Sequence, residues 1–469
     1  MMRLVFKQRI GASIVLGALA SGACAQVQNT TTTFDYDNAG NLMKVTDPLN
    51  HATQFGYDAL SRRTSTTDAT NTGITRYKYD GLDQLIEVTD ARNVVTAYAI
   101  DGLGNLSQTT SADTGVTSNT YDDAGNLTSR LDAKQQRTTY KYDALGRLTL
   151  ITYSDNATVS YEYDQGANAI GRLNKITDSS GSIAYAYSLH GRVTSETRII
   201  GGATYVTGYR YDDNGRLSNV VYPGGRSIDY TRDALGRISQ IGSTLGTAVM
   251  PLVSQVSYQP FGPVQTVKFG NGSTQTRTHD LDGRVASFSL GAKTMAVTYD
   301  AASRIKAIGD VANAASGNTY DYDVLDRLTN VVTPTAGQTY AYDAVGNRKQ
   351  KATNGTTTTY GYAGPGNRLT SVAGQSVATD ANGSITNTGN ATFNYDARGR
   401  MVSANTAIGL VTYTINSLGQ RVRKVTPTET TVFHYDLAGK LIGESTTTGS
   451  TTKTQQYVFL GDMPVAVLK

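Results

Sequence analysis

An all-β fold, a spiralling array of β-hairpins, is predicted by three observations. A tetrad Tyr-Asp-x-x, then Gly, then Arg or Asn, then an aliphatic residue returns about every 21 residues along nearly the whole chain. The residues before each copy alternate in the manner of a strand, as in Arg76-Tyr77-Lys78-Tyr79 and Thr139-Tyr140-Lys141-Tyr142. Residues two apart share a face of a strand, and Thr, Tyr and Val favour strands. Asp-x-x-Gly is turn chemistry, because Asp can bond the backbone two residues on and Gly accepts positive φ.

Taken in order, good copies read YDNAGNL from Tyr36, YDALSRR from Tyr57, YDGLDQL from Tyr79, IDGLGNL from Ile100, YDDAGNL from Tyr121 and YDALGRL from Tyr142. The steps from Tyr36 to Tyr57, Tyr79, Ile100, Tyr121, Tyr142 and Tyr163 are 21, 22, 21, 21, 21 and 21 residues. Weaker copies follow at Tyr187, Arg232, His279, Tyr299 and Tyr322, and clear ones return at Tyr342, Tyr395 and Tyr435. After each turn comes a second short strand, such as RLTLITY from Arg147, then a polar corner such as DPLNH from Asp47 or DARN from Asp90. So fixed a period marks one small unit repeated, each copy burying its face on its neighbours, with strands paired only between sequence neighbours. The array should span residues 26–469 in about 20 units. The stretch Leu245–Val256, with Pro251, breaks the pattern and is expected to be an enlarged loop near 241–257.

The turn positions that should carry the fold are Asp37, Gly40, Asp143, Gly146, Arg147, Gly215, Arg216, Gly236, Arg237, Gly399, Arg400 and Gly439. Where Ser61 and Ser303 replace the Gly, a different turn type is expected, because Ser resists the left-handed region. An Asp at the start of a turn and an Arg at its end can form a charge-assisted hydrogen bond across the turn or to the next unit. The chain has 30 Tyr, 9 Phe and no Trp, so its core keeps hydroxyls that need partners or water. A thin wall or a wet inner side is implied.

Residues 1–25 read as a secretory signal: Arg3, Lys7 and Arg9, an apolar run from Ile10 to Ala20, and small residues at Ala23 and Ala25. The apolar run is too short for an ordinary membrane span. Cleavage after Ala25 removes Cys24, the one cysteine, so no disulfide framework is expected. Acylation of Cys24 as a lipoprotein is disfavoured, since no Leu stands three residues before it. The formal charge of +4 loses three basic residues with the leader, leaving about +1. That balance argues against nucleic-acid binding.

The tetrad in register, from Tyr36 to about Tyr457, resembles the Rhs or YD-repeat family: bacterial Rhs and wall-associated polymorphic toxins, the C subunits of insecticidal toxin complexes, and the animal teneurins. The resemblance implies hairpins spiralling into a curved sheet or a partial hollow β-shell. In the bacterial toxins that shell encloses a C-terminal toxic domain, which follows a core-terminating region and an autocleavage site built around Asp residues. Here the chain runs to YVFLGDMPVAVLK, from Tyr457 to Lys469, and carries neither an autocleavage motif nor a toxin domain. The expectation is an exported shell or shell fragment of a toxin system, with a cargo or shell-completing protein as partner. The alternative is a cell-surface adhesion or carbohydrate-binding module, gripping a glycan with its Arg and Tyr rows.

No constellation points to an enzyme, a cofactor or a metal. The histidines, His51, His190, His279 and His434, are far apart in sequence and lack ligand spacing. The many carboxylates repeat one equivalent turn position, whereas acid–base catalysis needs two that differ.

Overall fold

The structure, a computed structural model, describes residues 3–4, 30–260 and 262–469. The leader and its cleavage positions, Ala23 and Ala25, lie outside the described residues apart from Arg3 and Leu4. Among the described residues there is no helix, and none that is long and apolar enough to cross a membrane. The strands are short and paired antiparallel with their immediate neighbours in the chain, as in Arg137–Tyr142 against Leu148–Thr152 and Leu148–Thr152 against Thr158–Tyr163.

Most YD turns are three-residue hairpin loops ending in a residue with positive φ, the loops between Asp164 and Arg172 and between Ala363 and Arg368 being longer. At Asp143 the backbone amide donates to Arg147 O at 2.9 Å, and Gly146 N donates to Asp143 O at 3.0 Å with Gly146 at φ +74°. A bulge follows at once, with the register shifting between Lys141 and Tyr142. Ser61 and Ser303 adopt φ of 60° and 65° and make the same two backbone bonds. The Ser turns therefore have the same type as the Gly ones, against the expectation for Ser: the bonds around Asp58 and Asp300 hold the strained residue in place.

The corners repeat the same turn with Asn or Gln in place of Gly. Asn50, Asn71, Asn93 and Gln135 have φ between 59° and 66°, each closing a loop opened by Asp47, Asp68, Asp90 or Asp132. Both edges of the hairpin ribbon thus carry Asp-opened loops. The Asp-x-x-Asn signature of these loops stands in DPLN at 47–50, DATN at 68–71 and DARN at 90–93.

Residues 241–257 are not a loop. Ile238–Leu245 and Ala248–Tyr258 form one long hairpin closed by Gly246 and Thr247, with Leu252 and Val253 buried. Pro251 sits at a register shift, where a missing amide does least harm to the ladder. The irregularity hid two strands.

The chain divides into two compact units: Met1–Asp113 with Lys293–Gly374, and Thr114–Ala292 with Gln375–Lys469. Each unit therefore combines an early stretch of the array with a late one. In the second unit a core gathers Tyr209, Tyr222, Ile228, Ile241, Ile442 and Val458. In the first, Val94 is the only described apolar residue below a tenth exposed.

Candidate interaction surface

Three contacts made by the tetrad close its own turn and fasten one unit to the next. The Asp side chain closes its own turn: Asp143 Oδ1 accepts from the amides of Leu145 and Arg147, both at 2.9 Å, and Oδ2 accepts from Arg147 Nε at 2.7 Å. The Arg147 amide and then its guanidinium hold the Asp143 carboxyl below its usual range, against some desolvation. Asn41 does the same at Asp37, the amide side chain acting first. The far end of the guanidinium crosses to the following unit, where Arg147 Nη2 meets Asp164 Oδ2 at 2.7 Å and the group lies 4.4 Å over the Tyr163 ring. Finally the Tyr163 hydroxyl donates back to Leu148 O at 2.9 Å.

The same hydroxyl-to-carbonyl bond recurs from Tyr57 to Leu42, Tyr142 to Leu127, Tyr211 to Val193, Tyr342 to Leu328 and Tyr435 to Arg421, between 2.8 and 3.0 Å. Tyr serves here because Phe would leave that carbonyl without the bond.

The remaining expected turn residues sit in equivalent loops. Arg216 and Arg237 bind Asp212 and Asp233 through Nε at 2.8 Å, and Gly215 and Gly236 have φ of 73° and 83°. Gly40, Gly399 and Gly439 have φ of 87°, 74° and 78°. Arg400 differs: its amide bonds Asp396, while its guanidinium reaches the Asn416 and Ser417 carbonyls of the next turn.

A second kind of contact joins residues more than 180 positions apart. Late YD turns are seated in early corners. In the first unit Arg92 Nη1 donates to Gly366 O at 2.9 Å and Asn367 Oδ1 at 2.8 Å, and Asn367 Nδ2 donates to Asp90 Oδ2 at 2.9 Å. The Asn367 amide and Arg368 Nε are both held by Asp113. In the second unit Asn382 Nδ2 donates to Asp132 Oδ2 at 2.7 Å, Lys134 meets Asp380 at 3.3 Å and Arg398 meets Asp178 at 3.5 Å. Further along, Tyr222 OH donates to Tyr457 O at 2.9 Å and Arg226 Nε to Gln456 Oε1 at 2.7 Å.

That joint also contains a buried polar island that the repeat does not announce. Glu196 and Arg198, 1% and 3% exposed, form an ion pair, and Arg198 Nη1 donates to Gln420 Oε1 at 2.7 Å. The His434 ring lies 4.6 Å from the Tyr205 ring, tilted by 50° to it; burial first, and then the Arg198 charge, push its pKa down to about 4. Two clefts flank the island. One of 370 Å³ is lined by Tyr205, Arg226, His434 and Gln456, and one of 310 Å³ by Tyr209, Tyr222, Tyr230, Leu437 and Phe459.

Folding also gathers one set of metal-type side chains that spacing did not suggest. Asp47, His51 and Asp326 bring one ligand atom each within 4.8 Å of one another. His51 Nδ1 lies 3.1 Å from Asp47, and Asp326 is already paired with Arg304 at 2.7 Å. Neutralised by that Arg, the set is a seated turn like the others: corner 47–51 against turn 323–327.

Comparison with known proteins agrees with this architecture. The family model for the teneurin YD-shell matches residues 20–165 and 289–453, and the RHS repeat model matches residues 211–248. A structure of the Tc holotoxin pore of Photorhabdus luminescens superposes with a TM-score of 0.77 at 17% identity, over 92% of this chain and 27% of that chain. The crystal structure of TcdB2-TccC3 gives 0.77 and 17%, over 93% of this chain and 28% of that one. The same complex without its hypervariable C-terminal region gives 0.77 and 17%, over 92% and 28%. The chain thus spans little more than a quarter of the solved chains it resembles. No curated protein matches its sequence.

Proposed function

This chain belongs to the teneurin YD-shell family, and on that footing we propose that it is an exported structural wall element of a toxin-type complex, enclosing or presenting a cargo domain carried by another protein or chain segment. The observation that carries the reading is the seated turn. Neighbour contacts alone would give a free ribbon, whereas turns docked in corners 250 to 277 residues away join one run of hairpins laterally to another. A wall is what such a joint builds. The proposed task is structural and not catalytic, since the repeated carboxylates are occupied in closing turns and in ion pairs.

Export, through the leader ending at Ala25, belongs to the same proposal. Intact mass of protein recovered from the periplasm or medium should begin at Gln26; a chain that keeps Met1 in the cytoplasm would remove it. Enclosure is tested by fusing a protease-sensitive reporter peptide after Lys469. Cleavage much slower than for the free peptide supports enclosure, and cleavage at the free rate contradicts it. The glycan-binding alternative draws less support, because the Arg faces it would use lie over the next unit's Tyr, as with Arg304 on Tyr322 and Arg327 on Tyr342.

A further inference from the structure

The turn at Asp436 departs from its neighbours in how its carboxylate is used. Asp37 and Asp143 give their second oxygen to Asn41 and Arg147, and Arg147 then goes on to lie 4.4 Å over the Tyr163 ring of the next unit. A guanidinium can do both because its donors fork from a plane, whereas an ammonium is a single point charge. At Asp436 the residue four on is Lys440. Asp436 Oδ1 closes the turn as usual, accepting from the amides of Ala438 at 3.0 Å and Lys440 at 2.8 Å. The Lys440 ammonium leaves for the next unit. It donates to Gly461 O at 2.7 Å and Asp462 Oδ1 at 2.9 Å, and lies 4.8 Å over the Phe459 ring. Among the described residues Asp436 Oδ2 has neither a hydrogen-bond nor an ion-pair partner.

Asp436 borders the 310 Å³ cleft of the second unit, beside Tyr209, Tyr222, Tyr230 and Phe459. Burial first, and then the Asp436 charge, push the Tyr230 phenol up to about 12. Burial chiefly raises Tyr209 and Tyr222 as well, and Asp436 is among the charges that add to it in each. The carboxylate is therefore felt at three of the rings, and all three phenols stay neutral. The Tyr209 hydroxyl is buried with no partner at hydrogen-bond distance, the Leu437 amide making only a weak approach. Other charges that bear on these rings are paired, Glu196 with Arg198 and Arg232 with Asp212. Asp436, Lys440 and Asp462 together leave one net negative charge at the cleft. Aromatic faces attract an organic cation within about 6 Å of the ring centre, most strongly where water is excluded. The volume is at the small end of ligand sites, which run from roughly 300 to 1,000 Å³.

We propose that this cleft binds a small alkylammonium ion of the choline type, with its methyl groups against the Tyr209, Tyr222 and Tyr230 rings and its charge facing Asp436. The array makes the same arrangement within itself, where the Arg147 guanidinium is held between the Asp143 carboxylate and the Tyr163 ring. The ligand takes the role that Lys440 gives up. The inference goes beyond the wall reading and does not rest on it, since the cleft belongs to one unit and needs no cargo.

Calorimetric titration of the full chain at fixed ionic strength tests it, with choline chloride set against dimethylbutanol, the uncharged carbon analogue of choline. Choline should bind saturably and on the order of tenfold more tightly than the alcohol. Asp436→Asn should remove that preference and leave the alcohol unchanged. Asn is compatible with the turn, because Asn416 opens its own with Oδ1 accepting from the amides of Leu418 at 3.1 Å and Gln420 at 2.9 Å. Tyr230→Phe, which keeps the ring, should retain choline binding, and Tyr230→Leu should weaken it. Phosphatidylcholine vesicles identify the source of the ammonium group. Co-sedimentation that Asp436→Asn abolishes marks a lipid headgroup, and choline binding without co-sedimentation marks a free compound; either result supports the site. A wild type that does not bind choline, or binds the alcohol equally well, overturns the proposal, and that comparison stands even if a variant melts early. So does an Asp436→Asn variant that keeps the wild-type preference for choline.

Discussion

The two units build the same seated turn from opposite materials. In the first, the joint is polar: Arg92, Asp90 and Asp113 grip the turn around Asn367, and only Val94 is a buried apolar residue among those described. In the second, polar contacts at Asp132 and Asp178 give way to a core of Tyr222, Ile228, Ile241, Ile442 and Val458, with Glu196 and Arg198 sealed beside it. The seat is therefore fixed by geometry, by the hairpin ribbon and its Asp-opened loops, and the side chains that fill it are variable. The difference has energetic consequences. Hydrogen bonds near the surface contribute about 1 kcal/mol each, whereas a fully buried aliphatic side chain is worth about 1.5–3 kcal/mol.

The largest effect should come from the polar island. Arg198→Met leaves Glu196 as an uncompensated buried charge, and breaking such a pair costs about 3–5 kcal/mol. Denaturant melts should show that loss, and a loss under about 1 kcal/mol would mean that Glu196 reaches water. Next, Ile241→Ala, at a residue with no exposed surface, should cost about 2–5 kcal/mol, while Asn367→Ala in the polar joint should cost about 1–3 kcal/mol. Equal costs would erase the contrast between the units.

His434 gives the second unit a pH dependence of its own. Its folded pKa is depressed from 6.5 to about 4, so below 6.5 the unfolded chain takes up a proton that the folded chain refuses. The stability present above pH 6.5 is lost as pH falls toward 4, by about 2 kcal/mol between pH 7.5 and 5. His434→Phe should flatten that slope; an unchanged slope would place its origin elsewhere. The turn carboxylates, lowered chiefly by hydrogen bonds as at Asp37 and Asp143, act in a different window. Their contribution is intact above the ordinary Asp value of about 4 and is lost at lower pH.

Glycines separate local strain from seating. Gly146 and Gly115 both hold positive φ, at 74° and 71°. A Cβ on Gly146 meets open space, but on Gly115 it would lie 2.4 Å from the Ala133 Cβ and 3.2 Å from Ala381 O of a seated turn. Gly146→Val should cost about 1–3 kcal/mol from backbone strain alone. Gly115→Ala should cost more than Gly146→Ala, and the reverse order would contradict the seat.

What the sequence made legible is what four or five consecutive residues decide. Asp143, Gly146 and Arg147 settle one turn among themselves, and the constant step carries Tyr163 to within reach of Leu148. What stayed hidden depends on distant chain segments. Nothing in DARN says that Arg92 will bind the carbonyls of Gly366 and Ala363, because every corner offers similar chemistry and the period does not encode which corner meets which turn. Glu196 and Arg198 read as an ordinary alternating strand, and their burial is created by the turn that lies over them. Pro251 suppressed the strand pattern in a hairpin whose Val253 is 1% exposed, because local propensity was overridden by packing.

Hydrogen exchange at the turn tips tests the seated turn most directly. The amides of Leu60 and Leu325 make the same bond, to Asp58 Oδ1 at 3.0 Å and to Asp323 Oδ1 at 2.9 Å, in turns of the same type within the same unit. They differ in that turn 323–327 meets the corner at Asp47 and His51. At concentrations where the chain is monomeric, the peptide containing Leu325 should exchange markedly more slowly than the one containing Leu60. Equal rates would show that late turns are not seated in early corners.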